Sequence, residues 1–208
     1  MPAWWLTFYV PTPRRSQVQR SRSTRASLVE AARTLFAEHG YVAVPADDIV
    51  RSAGVTRGAL YHHFGDKQGL FCAVVEQIEA EITEELAAVA RAGTDHWTAG
   101  LAALARFLDV CGRPEVVRIS LTDAPAVLGW QAWREIERRH GLGLITEILE
   151  AAAADGALAP VPIPELSQLL LSACGEAALI IAHAEDSHAA RTRAEQTLVA
   201  LLSGLIIR

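Results

Sequence analysis

The stretch Gly54-Val55-Thr56-Arg57-Gly58-Ala59-Leu60-Tyr61-His62-His63-Phe64-Gly65-Asp66-Lys67 decides the fold, because it packs a glycine-broken turn, a very short helix and a polar aromatic cluster into fourteen residues. Gly54 suits a position after a helix where φ turns positive, and the Thr56 hydroxyl is placed to cap the next helix. A helix over 56–62 would expose Thr56, Arg57, Tyr61 and His62 while Val55, Leu60 and Phe64 point back as its anchor. A small polar surface on an apolar anchor is what a helix entering a DNA major groove requires.

Such a helix needs two others to brace it. Upstream, Leu28, Ala31, Ala32, Leu35 and Phe36 fall at i, i+3, i+4, i+7 and i+8, one face of a helix over 24–39 that ends at Gly40. Pro45 is expected at the first position of a second helix, with Asp47 and Asp48 in its first turn and Ile49, Val50 and Ala53 facing inward. Together the three helices form a homeodomain-like helix-turn-helix. His62 and His63 are adjacent, so on a helix they diverge by about 100° and do not converge on a metal ion. Arg22 and Arg25 are placed near the DNA backbone at the start of the first helix.

The run Asp48-Ile49-Val50-Arg51-Ser52-Ala53-Gly54-Val55-Thr56-Arg57-Gly58-Ala59-Leu60-Tyr61-His62-His63-Phe64-Gly65-Asp66-Lys67-Gln68-Gly69-Leu70-Phe71 resembles the tetracycline-repressor (TetR) family. The resemblance covers residues 25–71 and implies a homodimeric, all-α transcriptional regulator, most often a repressor. Such a regulator is released from palindromic operator DNA when a small molecule binds its C-terminal domain. Carried over residue by residue, Thr56, Tyr61 and Lys67 resemble the family's phosphate contacts, while Arg57, Gly58, Ala59 and His62 occupy the groove-facing stretch. Hydroxyls and a lysine suit phosphate oxygens, and an arginine can take guanine O6 and N7 together. One departure is that Val44 and Pro45 stand where the family usually has threonine, and the Ala46 backbone amide is the expected substitute.

Charge supplies a separate line of argument. The chain has net charge −5, yet residues 1–70 hold nine Arg or Lys against five acids, a balance of +4, which leaves −9 on the remaining 138. A basic head on an acidic body favours phosphate binding through one end. The apolar run Trp4, Trp5, Leu6, Phe8, Tyr9 and Val10 is too short to span a membrane, and its charge order is the reverse of a secretory signal. It is open to three readings: a mis-assigned translation start with Val10 or Val18 as candidates, a disordered extension, or a DNA-contacting arm using Arg20, Arg22 and Arg25. The domain expectation is a disordered extension over 1–20, a helix-turn-helix domain over 21–66, and a larger helical ligand-binding and dimerisation domain over 67–208.

Alanine and leucine dominate the long segments, and no apolar stretch reaches transmembrane length without charge or glycine. Cys72, Cys111 and Cys174 offer neither disulfide pairing nor metal spacing, so a cytoplasmic protein without a cofactor, metal or membrane partner is expected. A long helix over 67–91 should join the domains. Further helices are expected over 97–111, 114–122 and 129–153, with a break at Asp123-Ala124-Pro125.

Trp97, Leu104, Phe107, Trp130, Trp133, Ile145 and Leu149 are candidates to enclose an apolar effector pocket, with Asp123, Arg134, Glu137, His140 or Glu176 adding polarity. Leu166, Leu170, Ala173, Ala177, Ile180 and Ile181 form one helix stripe and Leu198, Leu201, Leu202 and Leu205 another. Paired across a twofold axis they would make a four-helix dimer interface; alternatively they complete the subunit core. A helical enzyme is the rival class, but no nucleophile elbow, phosphate loop, metal-ligand spacing or paired-carboxylate motif organises the histidines and acids. A regulator that responds to no small effector is the other alternative.

Overall fold

The computed structural model describes residues 17–93 and 95–206. Most of the expected N-terminal extension, with its tryptophans, therefore lies outside the described residues. Ten α-helices and one π-helical segment follow in order, with no strand among the described residues.

α1 (Gln17–His39) buries Leu28, Val29, Ala32 and Phe36. It begins earlier than the periodicity suggested, so the disordered extension assigned to 1–20 is corrected at Gln17–Arg20. Those residues carry no glycine or proline to stop a helix, and the added turns are solvent-exposed. α2 (Ala46–Ser52) buries Ile49 and Val50, and Pro45 is its N-cap rather than its first helical residue. Gly54 then takes φ +65°, and α3 (Arg57–Phe64) opens on Thr56, whose hydroxyl accepts the Ala59 N–H at 3.3 Å. Leu60 anchors α3 in the core.

α4 (Lys67–Ala92) starts on Asp66, whose carboxylate accepts the Gly69 N–H at 2.7 Å. Gly69 has a steric reason to be glycine: a Cβ there would meet the Phe64 carbonyl oxygen at 2.0 Å. α4 packs on α1 and α3 through Leu70, Phe71 and Val74, and farther along on α5 (His96–Val110) and α8 (Trp130–Ala154). It therefore belongs to the head and the body at once.

Between α5 and α8 runs a continuous helical path: α6 (Pro114–Val116), a π-helix (Val117–Asp123) and α7 (Ala124–Leu128). The break expected at Asp123-Ala124-Pro125 is absent. The wide π register lets the Ala124 N–H reach the Ile119 carbonyl, and Pro125 falls in the first turn of α7, where its missing N–H costs nothing. The path breaks instead at Gly129, with φ +82° and ψ 151°.

α9 (Ile163–Ala182) and α10 (Ser187–Ser203) close the body against α8 and α5. By length and composition alone α9 is apolar enough to cross a membrane, although Glu165, Gly175 and Glu176 interrupt it as expected; its inward side packs on α8 and α10.

The head is tied to the body by bonds between residues distant in sequence. Arg33 of α1 donates to Glu81 at 2.7 Å and to both oxygens of Glu115 at 2.6 and 2.9 Å. The Tyr41 N–H donates to Asp123 Oδ2 at 2.8 Å, and Gln68 Nε2 donates to the Val127 carbonyl at 2.8 Å.

Candidate nucleic-acid interface and interior cavity

The two short helices of the head put a polar strip on the surface. Thr56, Arg57, Gly58, Tyr61 and His62 are exposed, and Ala59 is half-buried. The Arg57 guanidinium lies 5.7 Å from the Tyr61 ring centre, donates to the Tyr61 hydroxyl at 3.4 Å and pairs with Asp47 at 3.3 Å. Both partners are exposed, so the pair orients the side chain without holding it strongly. Arg25 is exposed at the edge of the same face, its guanidinium 5.2 Å from the Phe64 ring centre. His62 and His63 stack edge-on at 5.1 Å, and among the described residues no group of three or more His, Cys, Asp or Glu could hold a metal ion.

Two of the expected phosphate contacts are placed differently. Lys67 is half-buried, and its ammonium donates to the Tyr41 and Val44 carbonyls, each at 3.0 Å, while lying 4.0 Å from the Tyr41 ring centre. Burial lowers its pKa. Two of its three donors thus fasten the turn before α2 to the start of α4, which makes Lys67 a brace rather than a free phosphate ligand. Ala46 opens α2, where no side chain caps the helix. Asp47 and Asp48 in that first turn oppose an approaching phosphate, although Arg57 and Arg51 respectively neutralise them.

In the body, α4, α5, α8 and α9 surround a cavity of about 140 Å³. Such a volume is on the scale of one that accepts a single benzene ring. Of the expected residues, Trp97, Leu104, Phe107, Ile145 and Leu149 line it. Trp130 and Trp133 do not: Trp130 is 58% exposed, and Trp133 is buried in the main core against Trp130 with ring centres 4.9 Å apart. Trp133 stands just over three turns before Ile145 on α8 and about 120° around the axis from it, so it faces the main core rather than the cavity.

Of the polar candidates, only Glu137 lines the cavity. Asp123 is taken by Tyr41, Arg134 bonds Glu137 at 2.6 Å and Ser172 at 3.0 Å, and His140 bonds Glu76 at 2.7 Å.

The sequence reading missed Glu79, which lines the cavity from α4. Its signal was available, since Val75, Glu79, Ile82 and Leu86 share one helix face at i, i+4, i+7 and i+11, a carboxylate set into an apolar stripe. Protein encloses Glu79 except where it meets the cavity, and burial pushes its pKa up to about 7, assisted by the Glu137 charge and tempered by the Ser120 hydroxyl beside it. Ser120 Oγ is itself fully buried without a hydrogen bond of good geometry. Burial also raises the Glu137 pKa, against the opposing pull of Arg134.

A carboxyl whose folded pKa lies above its unfolded value binds more protons in the folded state, so its contribution to stability falls as pH rises from about 4.5 to 7. Glu79→Gln is therefore expected to stabilise the protein at pH 8, by on the order of 3 kcal/mol, and to have little effect at pH 4.5. Thermal unfolding followed at both pH values reads this directly; equal shifts at both would contradict it.

The expected dimer stripes divide between two roles. Ala177, Ile181, Leu198 and Leu202 are buried within the subunit, and Leu166, Leu170 and Leu205 pack partly against a second small core around Leu149 and Leu158. These complete the monomer because α9 is apolar around much of its circumference and spends most of that arc on its own neighbours. Ala173 is half-buried, while Ile180 at 52% and Leu201 at 65% stay exposed, as does Leu169 at 70%.

A three-helix head with an exposed arginine-tyrosine helix, carried on a helical body that encloses a cavity, defines a helix-turn-helix regulator. Comparison with known proteins makes the family plain. Residues 28–74 match the family described as bacterial regulatory proteins, tetR family, and residues 97–205 match the tetracyclin repressor-like C-terminal domain. The chain belongs to the TetR family of transcriptional regulators, which are not enzymes.

The Tn10 TetC protein of Escherichia coli is 31% identical over 158 residues, covering 74% of this chain and 78% of that one. The transcriptional repressor AcnR of Corynebacterium glutamicum is 40% identical over 62 residues, covering 30% of this chain and 33% of AcnR. Among solved structures, a TetR-family regulator from Pectobacterium atrosepticum superposes with TM-score 0.84 at 38% identity, covering 91% of this chain and 97% of that one. RolR in complex with resorcinol shares the fold with TM-score 0.63 at 21% identity, covering 89% and 90%.

Proposed function

We propose that this chain acts in the cytoplasm as a homodimeric repressor, reading a palindromic operator with α3 and releasing it when a small apolar molecule fills the cavity. The exposed strip of Thr56, Arg57, Gly58, Tyr61 and His62 carries this reading, because a helix kept polar outward and anchored inward by Leu60 can be laid in a groove without unfolding. Thr56 and Tyr61 supply hydroxyls to phosphates, Arg57 supplies the base-reading fork, and Gly58 and Ala59 let the backbone approach. Arg25 and the Ala46 amide lie at the margins of that contact, and Lys67 positions it. Ile180 and Leu201 mark the surface through which two copies pair, holding two heads about 34–36 Å apart on successive half-sites.

The cavity and the head are connected through the π-helix. Its Ser120 sits beside Glu79 at the cavity wall, and three residues on, its Asp123 holds the Tyr41 N–H at the end of α1. A ligand that binds one arrangement of this segment better than the other would shift the head, and only that difference in affinity does so. RolR, which shares this fold, was solved in complex with resorcinol, and this supports a small-molecule effector for the chain.

Binding to the chain's own upstream intergenic DNA tests the reading. Arg57→Ala is expected to weaken operator binding by about 1–3 kcal/mol, roughly 5- to 150-fold, and Tyr61→Ala to weaken it less with the salt dependence unchanged, because its hydroxyl carries no charge. Equal affinity of both variants and the wild type across several salt concentrations would exclude α3 as the contact.

A further inference from the structure

The cavity's polarity is confined to few groups, and their signs are unequal. Glu79 from α4 and Glu137 from α8 both border it, whereas the wall between them is made largely of Ile82, Leu86, Leu104, Phe107, Ile145 and Leu149. Glu137 is satisfied by Arg134 through one oxygen at 2.6 Å. Glu79 has no cationic partner among the described residues, and the one hydroxyl beside it, Ser120, is itself poorly satisfied. The remaining polar lining gives Glu79 no cationic partner: Thr83 is neutral, the Cys174 thiol is held neutral by burial, and the His96 ring is engaged by Asp155 at 2.6 Å. Two carboxyl groups therefore border one apolar enclosure, and only Glu137 has a guanidinium partner, so the Glu79 carboxyl is left without a cation.

We propose that the effector is a small amphipathic cation, with an apolar body about one ring in size filling the cavity and a protonated amine seated on Glu79. This rests on the reading of the cavity as the effector site and names the ligand's chemical class. An ammonium donates the hydrogen bonds that Glu79 lacks and restores the local charge balance; a carboxylate ligand would add a third negative charge to the same space. In an environment of low dielectric both effects exceed what they would be in water. The near-neutral pKa of Glu79 supports the assignment, because the carboxyl is partly protonated when empty and gives up that proton to a cation.

Titration calorimetry of the full-length protein at pH 7 with benzylammonium, benzyl alcohol and benzoate, three ligands of similar size that differ in charge, tests the proposal. Benzylammonium is expected to bind at least about tenfold more tightly than benzyl alcohol, with benzoate weakest, a difference of about 1.4 kcal/mol per tenfold. In Glu79→Gln the preference for the amine over benzyl alcohol should fall to within about threefold. A readout that needs no variant is proton release. Repeating the titration in buffers of different ionisation enthalpy should show roughly half a proton released per benzylammonium, as a group of pKa about 7 requires, and none for benzyl alcohol. Benzyl alcohol or benzoate binding as tightly as benzylammonium would overturn the cationic class and leave the effector cavity standing. Failure of all three to bind would overturn the effector cavity as well.

Discussion

Phe36→Ala is expected to destabilise the protein by about 3–5 kcal/mol, the range for deleting a fully buried aromatic side chain. Phe36 is completely buried, and its ring lies 5.2 Å from that of Phe71, edge-on at 78°, and 5.6 Å from that of Tyr41. Phe71 belongs to α4 and Tyr41 to the turn after α1, so this one ring joins the head, the turn and the connecting helix. A small three-helix head has little other core across which to spread the loss. Urea denaturation would show an early transition in the variant, with operator binding lost together with head structure. A cost below 1 kcal/mol would mean that the surrounding side chains close the void.

The paired substitution Ile180→Asp with Leu201→Asp is expected to convert the dimer to monomers at concentrations where the wild type is dimeric. Burying each such aliphatic side chain contributes about 1.5–3 kcal/mol, and the substitution removes two from each copy while placing charges opposite one another. The dissociation constant of the dimer should rise at least 100-fold by roughly 1.4 kcal/mol per tenfold. Because both residues are exposed in the subunit, at 52% and 65%, helix content and thermal stability of the monomer should be retained. Sedimentation velocity and circular dichroism read the two effects separately. A variant that remains dimeric would move the interface elsewhere, and operator affinity should fall in step with dimerisation since two linked heads bind two half-sites together.

How much of this was legible in the sequence depended on whether the signal was local or lay in the packing. Gly40, Gly54 and Thr56 mark ends that local chemistry dictates, and the head followed from them. Along α8, apolar character tells that Trp133, Ile145 and Leu149 are covered but not by what: Trp133 stands about 120° and about 160° around the axis from the other two and meets the main core instead of the cavity. The stripes of α9 and α10 failed for a related reason. An apolar arc shows that a helix is covered, and whether Ile181 or Ile180 meets the subunit's own core depends on packing the sequence does not display. Pro125 misled because a proline rule for α-helices was applied across a π register. Bonds such as Tyr41 to Asp123 and Arg33 to Glu115 join residues 82 positions apart and have no local signature.

The brace that Lys67 provides has a geometric consequence. By fastening the Tyr41 and Val44 carbonyls to the first turn of α4, it makes head and helix a single rigid arm. Glu79 stands 12 residues along that arm, about 18 Å from its tip at 1.5 Å per residue. A tilt of about 10° pivoting at Glu79 would carry the tip about 3 Å, and a symmetric pair of such arms would change their separation by up to about 6 Å. An ångström-scale adjustment around a bound molecule would thereby be magnified into a mismatch with the helical repeat of DNA.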